Sequence, residues 1–387
     1  MSATADPLLS ADQRELVDGL AALCDRHLSD ELLADLDARG EYPHVVMDAL
    51  VEGGWSSLPV SQEAGGAGVS AGDLAVVHEE LARHSLVVSQ AYFSLWVLGA
   101  EAIGRLGTPQ QREHWLPAIA ERGANVAFAL TEPGSGSDAA ALSTKAVSDG
   151  DEFVVSGQKV FITGAAVADT IVTAVRTSSA DRKQEGITLL MIDPTLPGVT
   201  FRKLSKIGIR ALDLCEVFFE DVRVSGDAVL GEVDKGWDAI LPGLAMERLF
   251  LSALSVGALR DLVERCSEHA LMRTAFGKPL ASHQLIADKI IEMKVAVDRC
   301  RGLVKQAAAM VDLSHPDAVT AASVAKLEAT RSYVSACREA IQVFGGYGFT
   351  DEYAVSRHYR DCKYLEIGGG SSEIQKIVIG RSMGFRL

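Results

Sequence analysis

The chain has 387 residues, of which 48% are apolar and 23% are charged. This length predicts two or three structural units around a substantial core, and the composition excludes both a disordered chain and a small disulfide-stapled module. Acidic residues outnumber basic residues by 52 to 37, which leaves a net charge of −15. Because such a surface repels a polyphosphate backbone, we expect no nucleic acid partner. An anionic small ligand would need local cations and backbone N–H groups.

Six cysteine residues are spread along the chain without a CxxC pair and without clustered histidine residues, which predicts reduced thiols and neither disulfides nor a metal site. They are Cys24, Cys215, Cys266, Cys300, Cys337 and Cys362. The N-terminal sequence carries acidic residues where a signal peptide has a basic start, so we expect a cytoplasmic protein. The most apolar helical stretch, residues 249–259, is about half the ~20 residues that cross a bilayer, which favours a buried helix.

The spacing of apolar residues changes twice along the chain. Over residues 10–123 they recur at helical spacing, and Thr108-Pro109 predicts the start of the last helix of this region. Over residues 126–233 the period approaches two, and Asp149-Gly150 predicts a hairpin turn between strands. Helical spacing then returns and continues to the end of the chain.

This succession predicts an α+β fold without βαβ alternation, and therefore not a doubly wound nucleotide-binding fold. We expect an N-terminal helical domain at residues 1–125, a middle antiparallel β domain at 126–235 and a C-terminal helical domain at 236–387. The long helices of the last domain are predicted at residues 240–272, 282–312, 317–343 and 372–383.

Two motifs of the β region carry candidate binding residues. The segment LTEPGSGSD follows the first predicted strand, and its Pro133-Gly134 turn and serine hydroxyls suit a phosphate or a flavin edge. By itself, it is more typical of an ordinary Gly/Ser-rich connection. The strand GQKVFITG places Phe161 and Thr163 two residues apart on one face, where they suit a planar cofactor. The simpler interpretation is a core phenylalanine on a half-buried strand.

Three further motifs lie in the C-terminal helical region. RTAFGKPL closes a long helix with Arg273, although a cation at a helix C-terminus is common without any function. QVFGGYG pairs glycine residues that let a backbone or ligand approach closely, and one of them is explained as a helix C-cap. IGGGSSEIQ presents unpaired N–H groups at a helix start, which suits a carbonyl oxygen or a phosphate, or simply a flexible loop with a cap.

Glu247-Arg248 is a charged pair on the most apolar helix of the chain. A carboxylate in that position is a candidate proton-abstracting base, because burial raises its pKa. The alternative is an ion pair on a solvated stripe.

Taken together, the order and spacing of these motifs resemble the acyl-CoA dehydrogenase family over essentially the whole chain. The resemblance implies a C-terminal four-helix domain, bound FAD and assembly as a homotetramer. The residues that would touch the flavin, its phosphates or the substrate are Phe128, Leu130, Thr131, Ser137, Phe161 and Thr163. Those that would meet the FAD of a neighbouring subunit are Arg273, Phe276, Gln284, Gln342, Gly345 and Gly346. Ser371 and Glu373 would close over the flavin, and Ser137, Arg248 and Gly369 would contact substrate.

One departure from the family pattern concerns the catalytic base. Many members carry a glutamate at the position of Gly369, which cannot accept a proton. A subgroup that resembles isovaleryl-CoA and long-chain acyl-CoA dehydrogenases supplies its base from a Glu-Arg-Leu helix, which matches Glu247 here. Glu366 is nearer in sequence to Gly369, but that subgroup carries a glutamate there without using it as the base. We therefore predict Glu247 as the base.

The resemblance implies α,β-dehydrogenation of an acyl-CoA, or of an acyl carrier protein thioester, with hydride transfer to flavin N5. The enolate oxygen would bind the backbone N–H of Gly369 and a ribityl hydroxyl, and electrons would pass to an electron-transfer flavoprotein. Alternatives within the same fold are a flavin oxidase, a monooxygenase or a desulfinase. A further alternative is a non-catalytic flavin- or CoA-binding subunit of a heteromeric complex.

Overall fold

Two helical regions flank a seven-stranded sheet in a computed structural model, which describes residues 9–179 and 181–387. The helices of the N-terminal region are α1 (Ala11–His27), α2 (Asp30–Arg39), α3 (His44–Glu52), α4 (Ala71–His84), α5 (Leu86–Tyr92), α6 (Leu98–Leu106) and α7 (Pro109–Arg122). A π-helical turn over Phe93–Val97 joins α5 to α6.

Local sequence signals explain where several of these helices begin. The Thr108 hydroxyl accepts the N–H of Gln111, and the Gln111 side chain accepts the N–H of Thr108, which closes a capping box at the start of α7. Pro109 occupies the first turn, where its missing N–H costs nothing. The predicted start of this helix is confirmed.

The strands of the sheet are β1 (Val126–Ala129), β2 (Lys145–Asp149), β3 (Glu152–Thr163), β4 (Thr170–Arg176), β5 (Ile187–Ile192), β6 (Val199–Lys203) and β7 (Leu214–Ser225). Their order is β1-β4-β2-β3-β7-β6, and β5 pairs with β4. The predicted hairpin between β2 and β3 is confirmed, with Gly150 at φ +65° in its turn. The sheet is antiparallel as expected, except that β4 lies parallel to β1 and to the end of β2.

The C-terminal region contains α8 (Gly236–Met272), a short hairpin of β8 (Thr274–Ala275) and β9 (Lys278–Pro279), α9 (Gln284–Asp312), α10 (Ala318–Phe344), α11 (Ala354–Asp361), α12 (Lys363–Ile367) and α13 (Ser372–Ser382). The four long helices predicted from the sequence correspond to α8, α9, α10 and α13. All six cysteine residues are buried free thiols.

The two helical regions are distant in sequence but share one hydrophobic core, to which residues of β1, β4 and β5 also belong. The remaining buried sheet residues form a second core. Helix α4 packs directly on α8 at Gly257, where an added Cβ would lie 2.0 Å from the Glu79 carbonyl oxygen. Helix α8 and the stretch Leu86–Leu106 are both long and apolar enough to cross a membrane, and both are mostly buried. The prediction that the apolar stretch at residues 249–259 is too short to cross a bilayer is therefore wrong, because this stretch belongs to α8, which has 37 residues. Burial in the shared core accounts for the apolar composition.

Candidate functional site

Glu247 faces the glycine turn that precedes α13. An added Cβ at Gly369 would lie 3.5 Å from the Glu247 carboxyl carbon and 2.4 Å from Leu251 Cδ1. The Glu247 carboxyl group therefore lies directly beside the position that Gly369 leaves without a side chain. Glu247 is half-buried, and its oxygens accept no hydrogen bond from the residues that the structure describes. It is available to a ligand.

Burial raises the pKa of Glu247 above its ordinary value, because desolvation disfavours the charged carboxylate. The positive charges of Arg248 and Lys326 act in the opposite direction. The neighbouring guanidinium of Arg248 is buried, and its Nη1 donates to Ser323 Oγ at 3.4 Å. Its Nε has no hydrogen-bond partner among the residues that the structure describes. Arg248 thus faces α10, and its contribution at the site is electrostatic in this conformation.

The Gly369–Gly370 turn is held by its carbonyl groups. Gln375 Nε2 donates to the Gly369 oxygen at 3.1 Å and to the Gly370 oxygen at 2.7 Å. Lys326 Nζ donates to the same Gly370 oxygen at 2.7 Å. Across residues 9–179 and 181–387, no acceptor pairs with the N–H of Gly369. An unpaired N–H beside a desolvated carboxylate can polarise a carbonyl oxygen while the carboxylate removes a proton.

The alternative base, Glu366, has a different environment. Its carboxylate pairs with Lys363 at 2.5 Å across one turn of α12. Its carboxylate is thus engaged by Lys363, whereas Glu247 lies directly beside the position of Gly369. This geometry favours Glu247 of the two carboxylates.

The β-region motifs meet at the ends of β1 and β3. A completely buried ion pair fixes the first motif: Lys159 Nζ donates to Glu132 Oε1 at 2.8 Å and to the Leu130 carbonyl at 3.1 Å. The Glu132 carboxylate also accepts the N–H groups of Ser143 and Thr144. These contacts hold Leu130 and Thr131 at the edge of the sheet, where both remain half-buried. Phe128 lies on β1 with the same intermediate exposure.

Phe161 lies in a β-bulge. Between Lys159 and Ile162 the pairing with β7 shifts by one residue, and Phe161 adopts φ +60°, which is uncommon for an aromatic residue. Its ring is 60% exposed, whereas Ile162 is buried and Thr163 is half-buried. The simpler interpretation of Phe161 as a core residue is therefore wrong.

The π-helical turn Phe93–Val97 connects this sheet edge to α8. An added Cβ at Gly164, just after β3, would lie 2.5 Å from Leu95 Cδ2. On the other side of the turn, the rings of Phe93 and Phe250 pack with centroids 5.9 Å apart. The π-helical turn therefore lies between the end of β3 and the middle of α8 and contacts both.

The residues predicted to meet a neighbouring subunit form a second, separate cluster at the C-terminal end of α8. Arg273 lies over the ring of Tyr347 at 5.7 Å, which joins the β8–β9 hairpin to the end of α10. Phe276 and Gly277 both have positive φ, as a two-residue hairpin turn requires, and Phe276 is 96% exposed. Nearby exposed residues of the same set are Gln284, Gln342, Gly345 and Gly346.

This second cluster is far from Glu247. Arg273 follows Glu247 by 26 residues along the same helix, which corresponds to about 39 Å at 1.5 Å per residue. The structure therefore brings the predicted site residues together in two groups and not in one.

Three family models cover the chain almost completely. They describe the acyl-CoA dehydrogenase N-terminal domain over residues 10–123, the middle domain over 127–222 and the C-terminal domain over 234–384. The chain belongs to the acyl-CoA dehydrogenase family.

Individual proteins agree with this assignment. The "Probable acyl-CoA dehydrogenase YngJ" of Bacillus subtilis (strain 168) is 37% identical over 350 residues, which cover 90% of this chain and 92% of that protein. The "Caffeyl-CoA reductase-Etf complex subunit CarC" of Acetobacterium woodii is 33% identical over 371 residues, covering 95% and 97%. The solved butyryl-CoA dehydrogenase from Megasphaera elsdenii superposes with a TM-score of 0.93 at 30% identity, covering 98% and 100%. The resemblance, the fold class and the assignment as an enzyme are confirmed.

The acyl-CoA dehydrogenase family is a flavoprotein family, and the residues of this chain fit such a cofactor. Two buried hydroxyl groups find no hydrogen-bond partner among the described residues, those of Ser135 in the β-region loop and of Ser372 at the start of α13. An added Cβ at Gly134 or Gly136 would meet nothing within 4 Å, so the loop faces free space. The exposed Ser137 belongs to this loop, and exposed Glu373 and the helix-capping Ser371 lie beside Ser372.

Sequence reasoning missed three buried residues that hold the acyl-CoA dehydrogenase motifs in place. They are Lys326, Lys159 and Glu132. Lys159 lies in the motif GQKVFITG and Glu132 in LTEPGSGSD, but nothing in the sequence indicates that the two side chains pair. Lys326 is detectable as a lone lysine within a helical stretch of small residues, ASVAKLEAT, where a charged side chain has to be matched by a partner.

Proposed function

We propose that this acyl-CoA dehydrogenase family member catalyses the α,β-dehydrogenation of an acyl thioester, with Glu247 as the base that removes the α-proton. The observation that carries the proposal is the desolvated Glu247 carboxylate lying beside Gly369. A base needs a pKa high enough to hold the proton it removes, and burial supplies this. The Gly369 position itself has no side chain that could do so.

The backbone at Gly369 supplies the second element of the reaction. Its unpaired N–H would donate to the thioester carbonyl, and the hydrogen bond strengthens as negative charge develops on that oxygen. Glycine retains this donor although it lacks the carboxylate. Removal of the proton and stabilisation of the oxygen would thus come from two neighbouring groups, the Glu247 carboxylate and the Gly369 N–H.

FAD is the cofactor we infer for this site. The residues that would hold it are Thr131, Ser137, Phe161, Thr163 and Ser371, which line the edge of the sheet and the start of α13. When bound, FAD supplies the acceptor for the β-hydrogen, which leaves as hydride. Phe128, Leu130 and Glu373 would complete the enclosure that excludes water.

Assembly from more than one copy is supported by the separation of the two clusters, and we propose the homotetramer that the resemblance to the family implies. The Arg273 cluster is about 39 Å from Glu247, so one cofactor cannot contact both within a single chain. Arg273, Phe276 and Gln284 would instead meet the cofactor of another subunit. The 96% exposure of Phe276 agrees with a surface that is covered on assembly.

We propose acyl-CoA as the substrate, with an acyl carrier protein thioester as the alternative carrier, and an electron-transfer flavoprotein as the acceptor. The name of the relative from Acetobacterium woodii, an Etf complex subunit, supports the acceptor. Bleaching of the oxidised flavin by a panel of saturated acyl-CoA thioesters, followed without oxygen, tests the substrate class. Rapid reoxidation in air would instead indicate an oxidase.

Replacement of Glu247 by glutamine tests the base. E247Q is expected to retain flavin and thioester binding but to reduce the flavin about 100-fold to 10,000-fold more slowly, because the amide cannot accept the α-proton. The measurement is the rate of flavin bleaching in a stopped-flow mixing experiment with saturating thioester.

Glu366 provides the matched control. Because its carboxylate pairs with Lys363, E366Q should reduce the flavin at close to the wild-type rate. A fully active E247Q, or an inactive E366Q that still binds flavin and thioester, would overturn the assignment of the base.

A further inference from the structure

Lys326 is a completely buried lysine beside the proposed site, and it has no assigned role in the proposed reaction. It lies on α10 with no exposed surface. Its Nζ donates to the carbonyl oxygen of Gly370 at 2.7 Å. A buried ammonium group loses much of its hydration, so it persists only where other groups compensate for that loss.

The groups that face Lys326 come from three other helices. Glu247 and Arg248 lie on α8, Glu366 on α12 and Glu373 on α13, and all four act on its charge. Burial lowers the pKa of Lys326 to about 8, with Glu247 acting against this change as the largest compensating group. The ammonium form therefore predominates at neutral pH.

The structure links Lys326 to Glu247 by a second route, through the backbone. Lys326 holds the Gly370 oxygen, and the adjacent Gly369 would place a Cβ 3.5 Å from the Glu247 carboxyl carbon. The Lys326 ammonium group thus donates to the turn that carries the Gly369 N–H, and its charge also acts on the Glu247 carboxylate.

We propose that Lys326 is a positioning residue, which fixes the Gly369–Gly370 turn and adds a positive charge, besides that of Arg248, that favours the ionised form of the Glu247 carboxylate. The inference rests on the proposed function only for its kinetic consequence. Its structural content, the coupling of Lys326 to Glu247, holds for the protein whether or not a substrate is known.

Two replacements separate the two roles. K326Q removes the charge but retains an N–H donor for the Gly370 oxygen, whereas K326M removes both. Without the charge, Glu247 binds its proton more readily, so its carboxyl group should titrate at a higher pH in both variants. Without the donor, the turn is free to shift, and a displacement of about 1 Å costs about 100-fold in rate.

Infrared spectroscopy measures the first effect without any turnover. The carbonyl band of a protonated carboxyl group that is absent in E247Q reports Glu247, and its intensity is followed against pH in each flavin-loaded protein. The band should persist to higher pH in K326Q and K326M than in the wild type. An unchanged titration in both folded variants would overturn the coupling.

Lys206 provides a matched control. Its Nζ donates to the backbone carbonyl groups of Ile209 and Leu212, and burial lowers its pKa to about 8, as it does for Lys326. The groups that act on its charge are Asp361, Asp213, Asp37 and Cys215, and Glu247 is not among them. K206M should therefore leave the Glu247 band at its wild-type pH. A shift in K206M equal to that in K326M would show a general effect of losing a buried cation and would contradict the proposal.

Stopped-flow flavin reduction measures the second effect. K326M should lose about 10-fold to 100-fold in limiting rate at a pH where Glu247 is ionised, and K326Q should recover most of that loss. Equal losses in the two variants would refute the role of the hydrogen bond to Gly370. If no thioester reduces the wild-type flavin, the proposed function fails, while the infrared titration still decides the coupling.

Discussion

Gly369 combines an unusual backbone conformation with a proposed role in the reaction. Its φ of +64° lies in the left-handed region that side chains other than glycine rarely adopt, and the space beside its Cα is occupied by Leu251. The absence of a side chain leaves room for the Glu247 carboxylate, and the N–H stays unpaired. The missing glutamate was visible in the sequence, whereas the contact with Glu247 depends on how α8 packs against the turn.

Replacement of Gly369 by alanine tests this arrangement. The added methyl group would meet Leu251 Cδ1 at 2.4 Å and would be held at a positive φ. We expect a loss of about 1–3 kcal/mol in stability and a fall of about 10-fold or more in the rate of flavin reduction, because the N–H moves. Thermal unfolding and stopped-flow bleaching measure the two effects.

Gly104 is the control for this exchange. It lies within α6, and an added Cβ there would meet nothing within 4 Å. G104A should be as stable as the wild type or slightly more stable, because alanine favours a helix over glycine by about 1 kcal/mol. A G369A protein that reduces its flavin at the rate of G104A would contradict the role of the turn.

At the scale of elements, local signals predicted helix starts and turns well. The cap at Thr108 and the turn at Gly150 depend on residues within a few positions of each other, and both were correct. The bulge at Phe161 was missed because the extra residue is defined only by pairing with β7. The buried pair of Lys159 and Glu132 was missed for the same reason, since 27 residues separate its members.

This buried pair gives a prediction about the sheet and its loop. In K159M the Glu132 carboxylate keeps its two backbone N–H donors but loses its countercharge, so we expect destabilisation of about 3–5 kcal/mol. The double variant K159M/E132Q should be less destabilised than the sum of the two single variants, because no buried charge is left unpaired. Thermal unfolding of the four proteins gives the comparison, and flavin content reports the position of the loop.

Lys145 is the matched control, because it is an exposed lysine on the neighbouring strand β2. K145M should change stability by no more than about 0.5 kcal/mol. Strict additivity of K159M and E132Q would mean that the pair does not act as a unit and would contradict the interpretation of Glu132 as the anchor of the loop.

At the scale of the whole molecule, the packing of the N-terminal on the C-terminal helices could not be predicted from periodicity. Periodicity identifies the apolar face of α4 and α8, but it does not identify the partner of each face. The close approach at Gly257 depends on contacts between residues more than 170 positions apart. The two site clusters at opposite ends of α8 likewise become visible only when the length of that helix is known.

His78 lies in this shared core and gives it a defined sensitivity to acid. The side chain on α4 packs against Phe250 of α8 and against Phe93, with ring centroids 4.8 Å and 5.8 Å apart, and Nδ1 lies 3.3 Å from Ser89 Oγ. Nε2 has no partner. Burial lowers the pKa of His78 from its ordinary value of 6.5 to about 3, because the charged ring loses its hydration.

The unfolded chain therefore binds a proton at His78 between pH 6.5 and pH 3, whereas the folded protein does not. Stability from the neutral ring is fully present above pH 6.5 and is lost as the pH falls, by up to about 1.4 kcal/mol per pH unit.

H78Q cannot take up this proton, so its thermal unfolding midpoint should fall less steeply than that of the wild type between pH 6.5 and pH 4. H315Q, which changes an exposed histidine between α9 and α10, should keep the wild-type slope. Equal slopes in H78Q and the wild type would show that the shared core tolerates a charged His78 and that other groups cause its acid sensitivity.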